Sequence, residues 1–204
     1  MLLWKLGDVM KFKKSFLAVA VALTAFGANA ATYNLPAGSG ELLNPNTFNW
    51  SFDAVVADPV ATLGFVINGY RTLDGLNTYA DFFVLKINGT EIGSGSFNLG
   101  GGGFSAWSGP GTAVTSNTGT SIGGNGGTTT ISGVSFALNA GTNNITFSYS
   151  PVGYANNGGQ SLGDEAWGIS SAQVTAVPEP ETYAMLLAGL GLMGAIARRR
   201  NKAA

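Results

Sequence analysis

The chain has 204 residues, with 10 Lys and Arg against 11 Asp and Glu, and neither Cys nor His. That composition excludes disulfides, thiol nucleophiles, Ser-His-Asp triads and zinc sites of the usual ligand types. It leaves oxygen ligands as the available metal chemistry.

The N-terminus opens with Lys11, Lys13 and Lys14, then an apolar run from Phe16 to Phe26, then Ala28-Asn29-Ala30. A basic start, a short apolar core and a small-x-small site predict a secretory signal peptide over 1–30. Cleavage by signal peptidase between Ala30 and Ala31 makes Ala31 the first mature residue. Met10 offers a better start than Met1, because Met10-Lys-Phe-Lys-Lys leads straight into the apolar run. The run is too short for a permanent membrane helix.

Residues 31–176 form one domain's length of chain. Its acids are Glu41, Asp53, Asp58, Asp74, Asp81, Glu91, Asp164 and Glu165, and its bases Arg71 and Lys86. An exported core so acidic lacks the basic face that nucleic acid requires. The 72 residues from Ile92 to Gly163 carry no charge at all. Acid–base catalysis needs positioned titratable groups, so this half reads as a surface for packing, hydrogen bonding and stacking. No carboxylate pair of the domain has a motif around it, and no catalytic residue is assigned.

Strand signals recur through the domain. Runs at 49–56, 62–67, 81–87, 90–97, 129–138, 144–150 and 166–174 alternate or are continuously apolar, and turn residues separate them. Asn88-Gly89 between two such runs predicts a tight hairpin, since both positions need positive φ. Residues 139–143 predict a second hairpin, between the strands at 129–138 and 144–150. Ile145, Phe147 and Tyr149, spaced by two, mark a buried face. The strand at 81–87 is apolar on both faces and should be central. The pattern predicts an all-β fold, an antiparallel β-sandwich of jelly-roll type.

Gly95 to Gly127 holds 12 glycines in 33 residues. No Lys follows and no strand-to-helix context exists for a phosphate-cradling loop. The stretch reads as a long flexible surface loop. Trp107 within it, between Gly-rich flanks, is the candidate for stacking on a glycan ring. Asp164-Glu165-Ala-Trp-Gly-Ile resembles an ending that recurs in exported β-sandwich proteins, with Ser170-Ser171 in place of its usual Asp-Asn. Asp164 and Glu165 are the candidate calcium ligands, joined by Asp53, Asp58 or a backbone carbonyl. Asp74-Gly-Leu-Asn77 resembles half of a calcium loop but lacks the downstream Glu, so it reads as a turn.

The last 28 residues stack three parts in order: Val177-Pro178-Glu179-Pro180, an apolar stretch, and Arg198-Arg199-Arg200 with Lys202. The 16 uncharged residues 182–197 predict a membrane helix about 24 Å long, short of a hydrocarbon core of roughly 30 Å. The Arg cluster sets its end in the cytoplasm. These residues resemble the PEP-CTERM sorting signal of Gram-negative bacteria over 177–204. The resemblance implies recognition by exosortase, a membrane-embedded cysteine protease, and removal of the tail on the way to the surface. It implies transient membrane anchoring, then release to the cell surface or extracellular space, with exopolysaccharide or biofilm matrix as partner. The same tail also carries the label of an ice-binding protein C-terminal domain. The Thr residues at 112, 115, 118, 120 and 128–130 are irregularly spaced, so that label describes the tail and not the domain.

The sequence therefore points to a non-catalytic, exported matrix or surface protein. Two alternatives stand beside it: a calcium-assisted polysaccharide hydrolase, and a purely structural surface protein without a ligand.

Overall fold

A computed structural model describes residues 30–118, 126–151 and 165–176, and in the tail 186–187, 189–194 and 198. The chain divides into two units, Ala31–Val177 and the two ends, Met1–Ala30 with Pro178–Ala204.

The described residues of the larger unit form strands joined by turns and loops, without a helix. Its strands are β1 (Ala31–Asn34), β2 (Leu42–Leu43), β3 (Asn46–Ala54), β4 (Asp58–Gly69), β5 (Asp81–Ile87) and β6 (Thr90–Ser96). Then come β7 (Ala106–Ser108), β8 (Thr112–Asn117), β9 (Gly127–Leu138), β10 (Gly141–Pro151) and β11 (Ala166–Ala176). One sheet runs β1-β11-β4-β9-β8, with β2 also on β11; the other runs β3-β10-β5-β6-β7. Every strand pair is antiparallel. The result is a β-sandwich of jelly-roll type.

The core is the slab between the sheets. Leu63, Phe65, Ile67, Ile131, Val134 and Val174 come from the first sheet. Trp50, Phe83, Leu85, Ile145, Phe147 and Tyr149 come from the second. The spacing by two of Leu63, Phe65 and Ile67, and of Ile145, Phe147 and Tyr149, follows from the pleat, which sends alternate side chains to opposite faces; a bulge lets Ile131 and Val134, three apart, both face inward. Aromatic rings cross the slab, with Phe65 5.1 Å from Phe147 and Tyr149 5.4 Å from Trp167, centroid to centroid. Strand β5 lies in the middle of its sheet, as its two apolar faces predict. Asn88 (φ 51°) and Gly89 (φ 83°) turn β5 into β6, the expected tight hairpin.

The second expected hairpin is not one. Strands β9 and β10 belong to different sheets. Residues 139–143 form a corner, built around the buried Asn143 side chain. Its Nδ2 donates to the carbonyls of Asn139 (2.8 Å) and Gly141 (3.0 Å). Its Oδ1 accepts from Asn139 N and from Asn88 Nδ2, each at 3.0 Å.

The Gly-rich stretch also differs from expectation. It contains β7 and β8 and is no structureless loop up to residue 118; residues 119–125 lie outside the described residues. Strand β8 is poor in apolar residues and holds its place by pairing with β9 along its whole length. Several glycines of the stretch are required by close packing: a Cβ on Gly95 would stand 2.6 Å from the Ala106 carbonyl oxygen.

In the tail, residues 186–187, 189–194 and 198 are helical. Among the described residues no helix is long and apolar enough to cross a membrane. The signal-peptide positions Ala28 and the sorting residues Val177, Pro178, Glu179, Pro180, Arg199 and Arg200 lie outside the described residues.

Candidate functional site

One end of the sandwich gathers three carboxylates and two exposed aromatic side chains. The connection from β4 to β5, residues 70–80, lies beside the connection from β6 to β7, residues 97–105. Backbone bonds join them: Leu73 and Leu99 exchange N–H···O bonds, Gly75 N donates to Gly102 O (2.7 Å), and Leu76 N donates to Phe104 O (2.8 Å). The run Gly100–Gly103 allows this approach. A Cβ on Gly103 would meet Leu76 O at 2.8 Å, and one on Gly101 would meet the Asp74 carboxyl carbon at 2.7 Å.

Two aromatic side chains stand out into solvent from these paired loops, Tyr79 (51 % exposed) and Phe104 (65 % exposed). Amide side chains brace the loops that carry these rings. Asn77 Nδ2 donates to Asp74 Oδ1, Asn98 Nδ2 to Gly103 O, and Asn117 Nδ2 to Asn98 Oδ1.

Beneath the loops lies a knot of carboxylates. One oxygen each from Asp74, Asp81 and Glu165 all fall within 4.8 Å of one another. Asp81 is fully buried and Glu165 is 3 % exposed. Strand β5 begins at Asp81, and Glu165 immediately precedes β11, so two strands from different sheets present their first acidic groups to one point. Asp81 closes the loop on itself: its Oδ2 accepts from Asp74 N (2.8 Å), and its N donates to Asp74 O (3.1 Å). Asn44, 4 % exposed, reaches between the acids. Its Nδ2 donates to Asp81 Oδ1 (2.6 Å) and Glu165 Oε2 (3.0 Å), and its N donates to Glu165 O (3.1 Å).

Burial pushes the Asp81 carboxyl up to about 8, and the charges of Glu165 and Asp74 add to that; the Asp74 N–H works against it. Tyr149 lies on the same face of the sheet, where Ser150 and Pro151 pair with Phe82 and Asp81. Its hydroxyl is raised well above its ordinary value by burial, and the Asp81 charge adds to the effect.

The predicted site residues fall differently. Trp107 is not a free stacking surface. It is half-buried, with its ring 6.3 Å from Phe83 and 6.4 Å from Phe97, and its Nε1 donates to Pro110 O (3.1 Å). Gly93 and Gly109 floor it so closely that a Cβ on either would sit 2.5 and 2.8 Å from the indole. The indole plugs the edge where the chain crosses from β7 in one sheet to β8 in the other. Of the calcium candidates, Glu165 is in the carboxylate knot, and Asp164 lies outside the described residues. Neither Asp53 nor Asp58 joins Glu165. Asp58 begins β4 and Trp167 pairs with Gly69 at its other end, roughly 35 Å away at strand rise. Asp53 faces Thr142 at the opposite end of β10 from Asp81 and accepts its hydroxyl at 2.6 Å.

Sequence reasoning missed Asp74 and Asp81 as partners of Glu165, and it missed Tyr79. One signal was available for Asp81. A carboxylate heading a run that is apolar on both faces is carried into the interior with it.

Comparison with known proteins gives the chain its sorting address. A PEP-CTERM protein-sorting motif matches residues 176–201. The motif marks the protein for export and exosortase-mediated sorting to the cell surface or extracellular space. No curated protein sequence matches the chain. Among solved structures, a family 35 carbohydrate-binding module from an environmental isolate is similar at 18 % identity and TM-score 0.34. The alignment covers 64 % of this chain and 65 % of that one. A CBM35 from Cellvibrio japonicus Abf62 is similar at 13 % identity and TM-score 0.36, over 74 % of this chain and 99 % of that one. The VP2 subviral particle of infectious bursal disease virus is similar at 15 % identity and TM-score 0.33, over 76 % and 34 %. Likeness at that level carries no argument about ligand.

Proposed function

We propose that the mature domain is a non-catalytic component of the cell surface or extracellular matrix that holds polysaccharide at its loop end. The tail anchors the chain transiently in the membrane until exosortase removes it. The observation that supports glycan association is the pair of exposed rings, Tyr79 and Phe104, on loops paired by backbone bonds and braced by Asn77 and Asn98. Flat rings stack on sugar faces, and amides bond sugar hydroxyls. A rigid mount keeps the entropic cost of binding low. Exopolysaccharide or biofilm matrix is the polymer that a surface address would bring within reach.

A second polar face exists but lacks a ring. A groove of about 480 Å³ on the outside of the first sheet offers the exposed side chains of Thr62, Thr130, Ser132, Ser171 and Gln173. The hydrolase alternative has less support. Asp81 and Glu165 are buried, so they offer no surface to a glycosidic oxygen.

The test is retention on a gel of the host's own exopolysaccharide. Phe104→Ala and Tyr79→Ala should each weaken retention several-fold with little change in melting temperature, since each exposed ring contributes on the order of 1 kcal/mol. Retention unchanged in the double variant refutes the loop end as the binding surface. Release of reducing sugar by the wild-type chain refutes the non-catalytic reading. Mass spectrometry of surface protein should find residues 182–204 gone; an intact C-terminus there refutes processing.

A further inference from the structure

We propose that Asp74, Asp81, Glu165 and Asn44 form a calcium site that ties the start of β11 to the loop entering β5. Three carboxylates, two of them buried, converge within 4.8 Å. A second observation points to a ligand among them. The Oδ1 of Asn44 is buried and has no hydrogen-bond partner, although the amide that carries it lies between Asp81 and Glu165. Leaving a buried acceptor unpaired costs free energy that native structures rarely accept. The other end of that amide, Nδ2, already serves both Asp81 and Glu165, so the orphaned oxygen belongs to the side chain that closes the knot.

A second buried oxygen, the Tyr149 hydroxyl, also has no partner, and it lies on the Asp81 side of the sheet. The donor set is all oxygen. Zinc prefers nitrogen and sulfur ligands, and the chain has neither His nor Cys. Magnesium retains several waters in a near-ideal octahedron, which a buried knot of protein oxygens does not accommodate. Calcium accepts six to eight oxygens in adaptable geometry, with carboxylates binding through one oxygen or two. The ion would replace a disulfide as the staple between the two sheets at this end.

The inference is independent of the glycan reading, and its experiment involves no sugar. The full chain, freed of metal with EDTA and exchanged into chelator-free buffer, is titrated with terbium under excitation of the aromatic band. Sensitised emission should saturate at one ion per chain and be displaced by calcium. Calcium at a hundredfold excess over Kd should raise the melting temperature by about 5–10 °C. Magnesium at the same concentration should do far less. Glu165→Gln and Asp74→Asn should lose the calcium shift, while in EDTA Glu165→Gln should melt no lower than wild type, because a buried repulsion is relieved. Asp53→Asn, remote from the knot, should keep the full shift.

Absence of both sensitised emission and a calcium shift overturns the proposal. So does an equal shift with magnesium, or a shift lost in Asp53→Asn. A Glu165→Gln variant that melts lower by the same amount in EDTA and in calcium would make the carboxylate structural and also overturn it. Should that variant fail to fold, the wild-type titrations decide alone.

Discussion

Replacing Trp107 with Ala should destabilise the domain and leave its glycan retention intact. The indole packs against Phe83 and Phe97 on one side and over Gly93 and Gly109 on the other, and it donates to Pro110 O. A fully buried Trp costs roughly 3–5 kcal/mol when cut to Ala. The indole is half-buried, so the packing loss is scaled to about 2 kcal/mol, and the lost hydrogen bond adds up to about 1 kcal/mol. The sum, about 2–3 kcal/mol, corresponds to a fall of roughly 5–10 °C in a domain of this size. Thermal melting followed by tryptophan fluorescence and far-ultraviolet circular dichroism measures it. Phe104→Ala is the matched control, and there the pattern should invert: retention falls and melting barely moves. If Trp107→Ala leaves melting within 1 °C of wild type while retention collapses, the indole is a binding surface and its placement against Phe83 is wrong.

The buried Asn143 makes four hydrogen bonds at the β9–β10 corner, so Asn143→Ala should cost about 3–4 kcal/mol in urea unfolding at about 1 kcal/mol each; a cost under 1 kcal/mol would show that the corner holds without it. Gly101→Ala sets a Cβ 2.7 Å from the Asp74 carboxyl carbon, so calcium affinity should fall about tenfold by calorimetry, a loss near 1.4 kcal/mol. Unchanged affinity would remove Asp74 from the ligand set. The orphaned Tyr149 hydroxyl should make Tyr149→Phe neutral or stabilising by up to about 1 kcal/mol in EDTA. Destabilisation there would mean that the hydroxyl has a partner such as a buried water.

The strands rich in large apolar residues were legible because period and turn chemistry agree. Asn88-Gly89 could be read directly, since few other residues accept positive φ at both positions. Residues 139–143 were misread because the same turn residues serve hairpins and corners. Alternation tells which side chains are buried and not which sheet they join. The sheet is decided by partners far along the chain, Phe48 and Leu85 for Phe147, and Phe65 for Ile131. Strand β8 was illegible for another reason. Thr112-Ala-Val-Thr-Ser-Asn117 has little apolar signal of its own and becomes a strand through its ladder to β9. The carboxylate knot was half legible. Glu165 stood out by its local motif, but Asp74 read as a turn residue and Asp81 as a strand start, and only the topology brings the three together.

The same end of the sandwich thus carries both proposed properties, and one piece of chain connects them. Asp74 belongs to the loop whose next residues, Gly75 and Leu76, hold the Phe104 loop by their backbone N–H groups. Asp74 O also accepts from Ser96 Oγ and from Asp81 N, so the loop is fixed to β5 and to the end of β6 from below. The carboxylates under the loop repel one another when ionised. Without a proton or a cation among them, that repulsion presses directly on the backbone that mounts Tyr79 and Phe104. A domain with no disulfide and no charge across half its length has few other means of stiffening exposed loops. On the proposed reading, these buried acids strain the fold unless a proton or a cation joins them, and a cation makes them a staple. Export to the cell exterior, the destination written in residues 176–201, is where calcium is abundant enough for weak extracellular sites to fill.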